Sequence, residues 1–190
     1  MDSEPNKEKF EIVIEMAKPE DAKDIESVFY QTWLATYPGK VPGVTEEDVH
    51  KYYEESFSPE KIENYQNRIK ESLVSDNRRY FVAKFAGGVV GICIALKLEE
   101  NNQLTAIYVL PEFQGKGIGY KLWSEALRFI DLSKDTTVEV VTYNDNAIEF
   151  YERLGFEDTG RRWTDEKFRM ESGATFPEME LKIKGTDPAK

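Results

Sequence analysis

The run Gln114-Gly115-Lys116-Gly117-Ile118-Gly119 follows an apolar stretch ending Ile107-Tyr108-Val109-Leu110-Pro111 and precedes apolar residues at helical spacing. A strand that ends in a bend of small residues presents successive backbone N–H groups, and a helix behind it aims the positive end of its dipole at the same point. Such a point favours an anion, most simply a pyrophosphate. Neither familiar nucleotide pattern fits, however. Counted from Gly115, both the phosphate-loop pattern and G-x-G-x-x-G put Tyr120 where a glycine is required, and counted from Gly117 the second reaches Leu122. Taken alone, the loop reads more simply as a tight turn that needs glycine's backbone freedom.

Other chemistries are bounded by count. Cys93 is the only cysteine, so the chain can form neither an intrachain disulfide nor a cysteine-based zinc site, which agrees with a reducing compartment. Cys93 sits within a β-rich run with nothing beside it to lower its pKa, and reads as a small packed hydrophobe. His50 is the only histidine, so a histidine-rich metal site is excluded and no metal is expected. Any histidine-based nucleophilic mechanism would have to pass through His50, which lies in an acidic helix and reads as a surface residue.

The elements that must position these groups follow from periodicity. Phe10–Met16 alternates as a first strand, and Pro19-Glu20-Asp21 opens a helix whose buried stripe is Ala22, Ile25, Phe29 and Trp33, ending at Tyr37-Pro38-Gly39. Thr45-Glu46-Glu47-Asp48 resembles a capping box, and Ser58-Pro59 starts a further helix with Ile62, Tyr65, Ile69 and Leu73 inward. Acids crowd these two helices, either as a solvated face or as a surface that recruits a cation. Tyr80–Phe85 and Val89–Leu98 form a hairpin through Ala86-Gly87-Gly88, and Leu104–Val109 is the strand before the glycine loop. Ile118, Leu122, Ala126 and Phe129 mark the next helix, Thr136–Tyr143 the next strand, and Ile148, Tyr151 and Leu154 a short helix capped by Asn144-Asp145-Asn146 and stopped by Gly155. Pro177–Ile183 reads as a final strand. Arg161–Thr175 has no period and is expected to be a long loop or a strand with an insertion, while Met1–Glu8 and Lys184–Lys190 are expected to fray.

This order makes an α/β or α+β layer around one mixed sheet. At 190 residues a single domain over 1–190 suffices, and the formal net charge of -11 argues against nucleic acid and suits cationic substrates. No apolar stretch is long enough to span a bilayer and the charged start lacks the centre of a signal peptide, so no membrane partner and a cytoplasmic location are expected.

Two blocks in order change the reading of the loop. Gln114–Gly119 resembles the Q/R-x-x-G-x-G/A signature of the GNAT superfamily of N-acetyltransferases, and Asn144–Ala147, Phe150-Tyr151-Glu152 and Gly155-Phe156 resemble that family's N-x-x-A-x-x-x-Y-E-x-x-G-F block. The resemblance runs over Phe10–Phe156 in element order and over Leu104–Phe156 in residues. It implies a mixed, mostly antiparallel sheet flanked by helices on both faces, and acetyl-CoA as cosubstrate for direct attack by a primary amine.

It further implies that the backbone of Gln114, Gly115, Lys116, Gly117, Ile118 and Gly119 holds the pyrophosphate, with Lys116 adding charge at the rim. Ile107, Tyr108 and Val109 would pair with the pantetheine arm, and the Val109 N–H would polarise the thioester carbonyl. Asn144 or Asn146 would contact the pantetheine, unless Asn144 serves only as a helix cap. Tyr151 lies where many members place the tyrosine that protonates the departing thiolate, although its place on the helix stripe also suits a core aromatic. Members often carry a Glu on the strand before the loop; here the comparable positions are Gln103 and Thr105, so the base is open among Glu26, Glu46, Glu47 and a water.

Trp33-Leu34-Ala35-Thr36-Tyr37 is reminiscent of the bacterial polyamine acetyltransferase branch, which makes Glu26, Trp33 and Tyr37 candidates for acceptor binding. A small cationic amine such as a polyamine is the expected acceptor. A protein N-terminus or lysine, or a non-catalytic CoA-binding module, are the alternatives, and a homodimer is suggested by the family alone.

Overall fold

The computed structural model describes residues 11–186. The elements are β1 (Val13–Met16), α1 (Ala22–Thr36), α2 (Glu46–Glu54), α3 (Pro59–Val74), β2 (Arg78–Phe85), β3 (Gly88–Lys97), β4 (Asn102–Val109), α4 (Ile118–Phe129), β5 (Thr136–Val141), α5 (Asp145–Arg153), β6 (Glu157–Thr164) and β7 (Pro177–Ile183). They build one seven-stranded sheet in the order β1-β2-β3-β4-β5-β7-β6. Every neighbouring pair is antiparallel except β4 with β5.

Local chemistry accounts for the boundaries. Thr45 and Asp48 cap α2 reciprocally: Thr45 Oγ1 accepts from the Asp48 N–H at 3.1 Å, and the Asp48 carboxylate accepts from the Thr45 N–H at 2.9 Å. The β2–β3 hairpin turns through Ala86 and Gly87 at φ 50° and 86°, both in the left-handed region that such a turn needs. Helix α5 ends as expected at Gly155, φ 94°, where the Phe156 N–H reaches the Tyr151 carbonyl at 3.0 Å and the Gly155 N–H reaches that of Glu152 at 2.9 Å.

The sheet is covered on both faces, as the family resemblance implies. On one face, Phe29 of α1 meets Tyr108 and Tyr65 of α3 meets Tyr80. On the other, Phe129 of α4 meets Phe81, and Leu122 of α4 lies against Gly91. A main core between sheet and helices includes the fully buried Ile25, Ile92, Leu104 and Leu122. A second cluster gathers Trp33, Tyr37, Val41, Val44, Val49, Tyr53, Val141, Met170 and Phe176 beyond the C-terminal half of α1.

Of the two readings of Arg161–Thr175 the strand with an insertion holds, and one other expectation is corrected. Residues 157–164 form a strand, so the unperiodic stretch resolves into β6 followed by an insertion over 165–176 that returns as β7. The period fails in β6 because its residues are mostly exposed and a bulge between Asp158 and Arg162 breaks the alternation. The tail does not fray at Lys184: the Gly185 N–H donates to Asp135 Oδ1 at 3.0 Å and the Thr186 N–H to the Leu132 carbonyl at 2.7 Å. The remaining frayed-end expectations, for 1–8 and 187–190, fall outside the described residues, as does the Phe10 start of the first strand.

Candidate active site

The site begins where the sheet comes apart. Strands β4 and β5 pair only at Asn102 with Thr136, Gln103 with Thr137 and Leu104 with Val138. Immediately afterwards β4 carries an extra residue: Ala95 pairs with Leu104 and Ile94 with Ala106, leaving Thr105 as a bulge. A bulge bends and twists its strand, and this one turns β4 away from β5 while β4 stays paired to β3. The Leu110 N–H donates to the Val90 carbonyl on the β3 side at 2.9 Å. Successive N–H groups of a strand alternate sides, so those of Ile107 and Val109 point the other way, into the gap.

The glycine loop closes one end of this gap. Gly115 and Gly117 have φ 72° and 76°, and a Cβ on either would meet nothing within 4 Å, so the conformation rather than crowding demands glycine. Gly119 is different: a Cβ there would lie 3.0 Å from the Phe150 ring, which fixes how closely α5 approaches the start of α4. No side chain caps α4 at Gly117, and its first intrahelical bond is from the Lys121 N–H to the Gly117 carbonyl. The first-turn N–H groups are therefore available to an anion. The Lys116 ammonium turns back onto the Glu112 carbonyl at 2.8 Å and over the Phe113 ring, and Gln114 Nε2 donates to the Val109 carbonyl at 2.9 Å. Among the expected loop residues only Lys116 does not line the cavity.

Helix α5 supplies the middle of the site. Asn144 Oδ1 accepts from the Ala147 N–H at 3.2 Å, so the capping role is real, and its side chain also borders the cavity and bonds the Tyr37 hydroxyl. Asn146 and Arg153 border the cavity as well, Arg153 having gone unnoticed in the sequence because only the packing of α5 aims it there. Tyr151 is 4% exposed, packed between Phe150 and Phe156. Burial, with Tyr108 and Cys93 nearby, pushes its phenol well above the usual tyrosine range, against which only the Ile107 backbone pulls. It therefore carries its proton at neutral pH, and the core-aromatic and proton-donor readings are compatible. Burial likewise pushes the Cys93 thiol up, as expected of an inert packed cysteine.

Beyond the gap, on the α1 face of the sheet, the cavity opens into an aromatic chamber. It holds about 670 Å³ in all and runs from the glycine loop to Trp33, Tyr37, Phe168, Phe176 and Glu178. Trp33 stacks on Tyr52 with ring centroids 5.2 Å apart and 10° between planes, and meets Phe176 at 5.3 Å. The insertion over 165–176 forms one wall because Asp48 Oδ1 accepts from the Ser172 N–H at 3.2 Å and Lys51 pairs with Glu171 at 3.0 Å. Burial pushes the Tyr37 hydroxyl well above its ordinary range, and Tyr108, hydrogen-bonded to it and to Trp33, is raised by burial too.

The structure brings Trp33 and Tyr37 into the cavity but not Glu26, which faces Tyr52, Tyr53 and Arg68; burial raises its carboxyl and Arg68 opposes the rise. Glu46 and Glu47 are exposed on α2, away from the cavity, and His50 is a surface residue bonded to Tyr30 at 2.7 Å. Of the strand positions, Thr105 lines the cavity and Gln103 does not. Sequence reasoning missed Glu178, Glu139, Phe168 and Phe176, all on segments that carry no motif.

Residues 76–158 match the acetyltransferase (GNAT) domain family. That match covers a little under half of the chain, and over it the chain resembles the GNAT superfamily. An uncharacterized N-acetyltransferase of Chlorobaculum tepidum is 30% identical over 101 residues, 53% of this chain and 63% of that protein, so the chain spans under two thirds of that relative. A spermidine N(1)-acetyltransferase of Thermoplasma acidophilum is 28% identical over 145 residues, 74% of this chain and 86% of that protein. The fold is that of the PaiA N-acetyltransferase of the same organism, solved in complex with coenzyme A, with a TM-score of 0.68 at 23% identity over 91% of this chain and 99% of that one. The matched segment covers β2 to the start of β6, which includes the gap, the glycine loop and Tyr151 but neither Trp33 nor Glu178.

Proposed function

We propose that the chain transfers an acetyl group from acetyl-CoA to the primary amine of a small cationic acceptor such as a polyamine. The observation that carries this reading is continuity: one cavity joins an anion-favouring loop, a strand edge whose N–H groups turn away from β3, a buried phenol and an aromatic chamber bordered by a carboxylate. Acetyl-CoA supplies an activated thioester. The residues fit it, since the loop backbone over Gln114–Gly119 has a pyrophosphate's requirements and the Ile107–Val109 edge accepts an extended arm as a sheet accepts a strand.

In this reading the Val109 N–H faces the carbonyl oxygen that gains charge during attack, a role in which one donor is worth roughly 10²–10³ in rate. Asn144 and Asn146 contact the arm, and Tyr151 gives its proton to the departing sulfur. Trp33 and Tyr37 bound the acceptor, whose cationic character is matched by the negative chamber and by aromatic faces. A compartment such as the cytoplasm is compatible with the absence of any membrane-crossing helix among the described residues.

The test is an amine panel, including spermidine and lysine peptides, with CoA release as readout and Tyr151→Phe as control. We expect turnover on small polycations with kcat lowered about 10²-fold or more in the variant. Preference for peptides would redirect the reading to protein acetylation, and binding of acetyl-CoA without turnover on any amine would reduce the chain to a CoA-binding module.

A further inference from the structure

An alkylammonium of pKa about 10.4 must lose a proton before its nitrogen can attack a thioester, and the strand positions where relatives often carry a glutamate hold Gln103 and Thr105 here. Three carboxylates border the cavity: Glu139, Glu149 and Glu178. Glu149 is exposed and paired with Arg153 at 3.4 Å, and Glu139 is exposed. Glu178 is only 9% exposed and sits on β7 opposite Val141, the last residue of β5 before the turn to Asn144. It thus lies at the meeting of the gap and the aromatic chamber, where an amine approaching the thioester would arrive.

We propose that Glu178 is the catalytic residue that takes the proton from the attacking ammonium. The proposal rests on the acetyl-transfer reading above. In the step, one N–H proton of the ammonium passes to the Glu178 carboxylate, and the freed nitrogen lone pair forms the C–N bond as the C–S bond breaks. The sulfur takes the Tyr151 proton, the second proton shed by the nitrogen returns to Tyr151, and the proton on Glu178 leaves to solvent. The balance is acetyl thioester plus ammonium to amide, thiol and one released proton.

The surroundings of Glu178 suit this role. Burial and the Glu139 charge raise its carboxyl, a hydrogen bond from Trp163 of β6 lowers it, and Asp165 raises it again. Its charge reaches the Tyr37 and Tyr108 hydroxyls, which join the chamber to the gap. On the same face Arg161 pairs with Glu180 at 2.8 Å, and Glu178 is in none of the salt bridges among the described residues. A carboxylate so placed is a stronger base than an exposed one and is attractive to an incoming ammonium.

The experiment is the pH dependence of kcat/KM for the best amine, in the wild type, Glu178→Gln and Glu178→Asp, with acetyl-CoA affinity by calorimetry as a readout besides turnover. In the wild type the profile should rise through a limb above the ordinary carboxylate range and then flatten below the amine's own pKa. Glu178→Gln should lower kcat about 10²-fold, leave acetyl-CoA affinity within twofold, and rise with unit slope up to the amine's pKa, as free amine becomes the only nucleophile. Glu178→Asp should restore the plateau in part. A wild-type profile that already rises with unit slope, or a Glu178→Gln enzyme with unchanged kcat and plateau, overturns the proposal while acetyl transfer stands. A wild type that acetylates no amine overturns the underlying reading as well. A misfolded Glu178→Gln still leaves the wild-type limb to decide.

Discussion

The two halves of the cavity are built from different materials. The half between β4 and α4 is lined from one continuous segment, Ile107–Tyr120, and offers it the N–H groups of the glycine loop, of the β4 edge and of the first turn of α4. The half on the α1 face is lined by residues far apart in the chain, drawn from α1, β5, β7 and the 165–176 insertion, whose rings and carboxylate give it its character. A backbone site is indifferent to most side-chain changes and depends on φ and on strand direction, so it recognises a constant ligand. A side-chain site can be retuned residue by residue, which suits the variable partner of a transfer reaction.

The sharpest way to break this contrast is at Gly117. Its φ of 76° is a conformation that costs an L-residue roughly 1–2 kcal/mol, and a β-branched one more. Gly117→Val should weaken acetyl-CoA binding by about 10²-fold, two steps of 1.4 kcal/mol, while the amine KM extrapolated to saturating acetyl-CoA stays within a few fold. Calorimetry and steady-state kinetics measure the two separately, and a matching loss on the amine side would mean the halves are not independent.

A smaller effect is expected at the tether that holds the 165–176 wall of the chamber. Burial pushes the Asp48 carboxyl up, but hydrogen bonds from Thr45 and Ser172 outweigh it and hold it at about 2, below its ordinary 3.8. A carboxyl depressed on folding adds stability that is present above the unfolded pKa and is lost as pH falls through the folded one. The melting-temperature gap between wild type and Asp48→Asn should therefore be full at pH 5 and above, and close between about pH 4 and pH 2. At pH 7 the variant should melt a few degrees lower and raise the amine KM, with acetyl-CoA affinity unchanged. A gap that persists at pH 2 would show that the carboxylate's charge is not what ties Ser172 to α2.

The smallest effect is assigned to Lys116. Its ammonium is engaged by the Glu112 carbonyl and Phe113 ring, outside the cavity. Lys116→Ala should change acetyl-CoA affinity by about threefold or less, the scale of a weak exposed interaction. A tenfold loss would show that the lysine swings to the phosphates and that the backbone alone does not make the anion site.

What was legible in the sequence is what local rules determine. The caps at Thr45 and Gly155, the Ala86-Gly87 turn, the helical stripes and the strands of alternating burial follow from interactions spanning a few residues. The glycine loop alone read as a tight turn; it and the Asn144–Phe156 block became legible as a pair, since each is one continuous segment that can be matched to a family motif. Element order then implied a mixed sheet. Trp33 and Tyr37 were readable as candidates because they lie in one short segment, Trp33–Tyr37, that resembles the polyamine acetyltransferase branch.

Tertiary structure alone decided the rest. The gap depends on a single extra residue at Thr105, which no composition or period reveals, because a bulge is defined by the partner strand. Glu178 reads in sequence as one more acid in a terminal strand; it becomes a buried group at the gap only because β7 inserts between β5 and β6. Glu26, equally acidic and on the helix of Trp33, is turned towards α2 and α3 instead. Which carboxylate meets the cavity is fixed by strand order and by the tether of Asp48 to Ser172, contacts between residues far apart in the chain, and such contacts leave no local trace in the sequence.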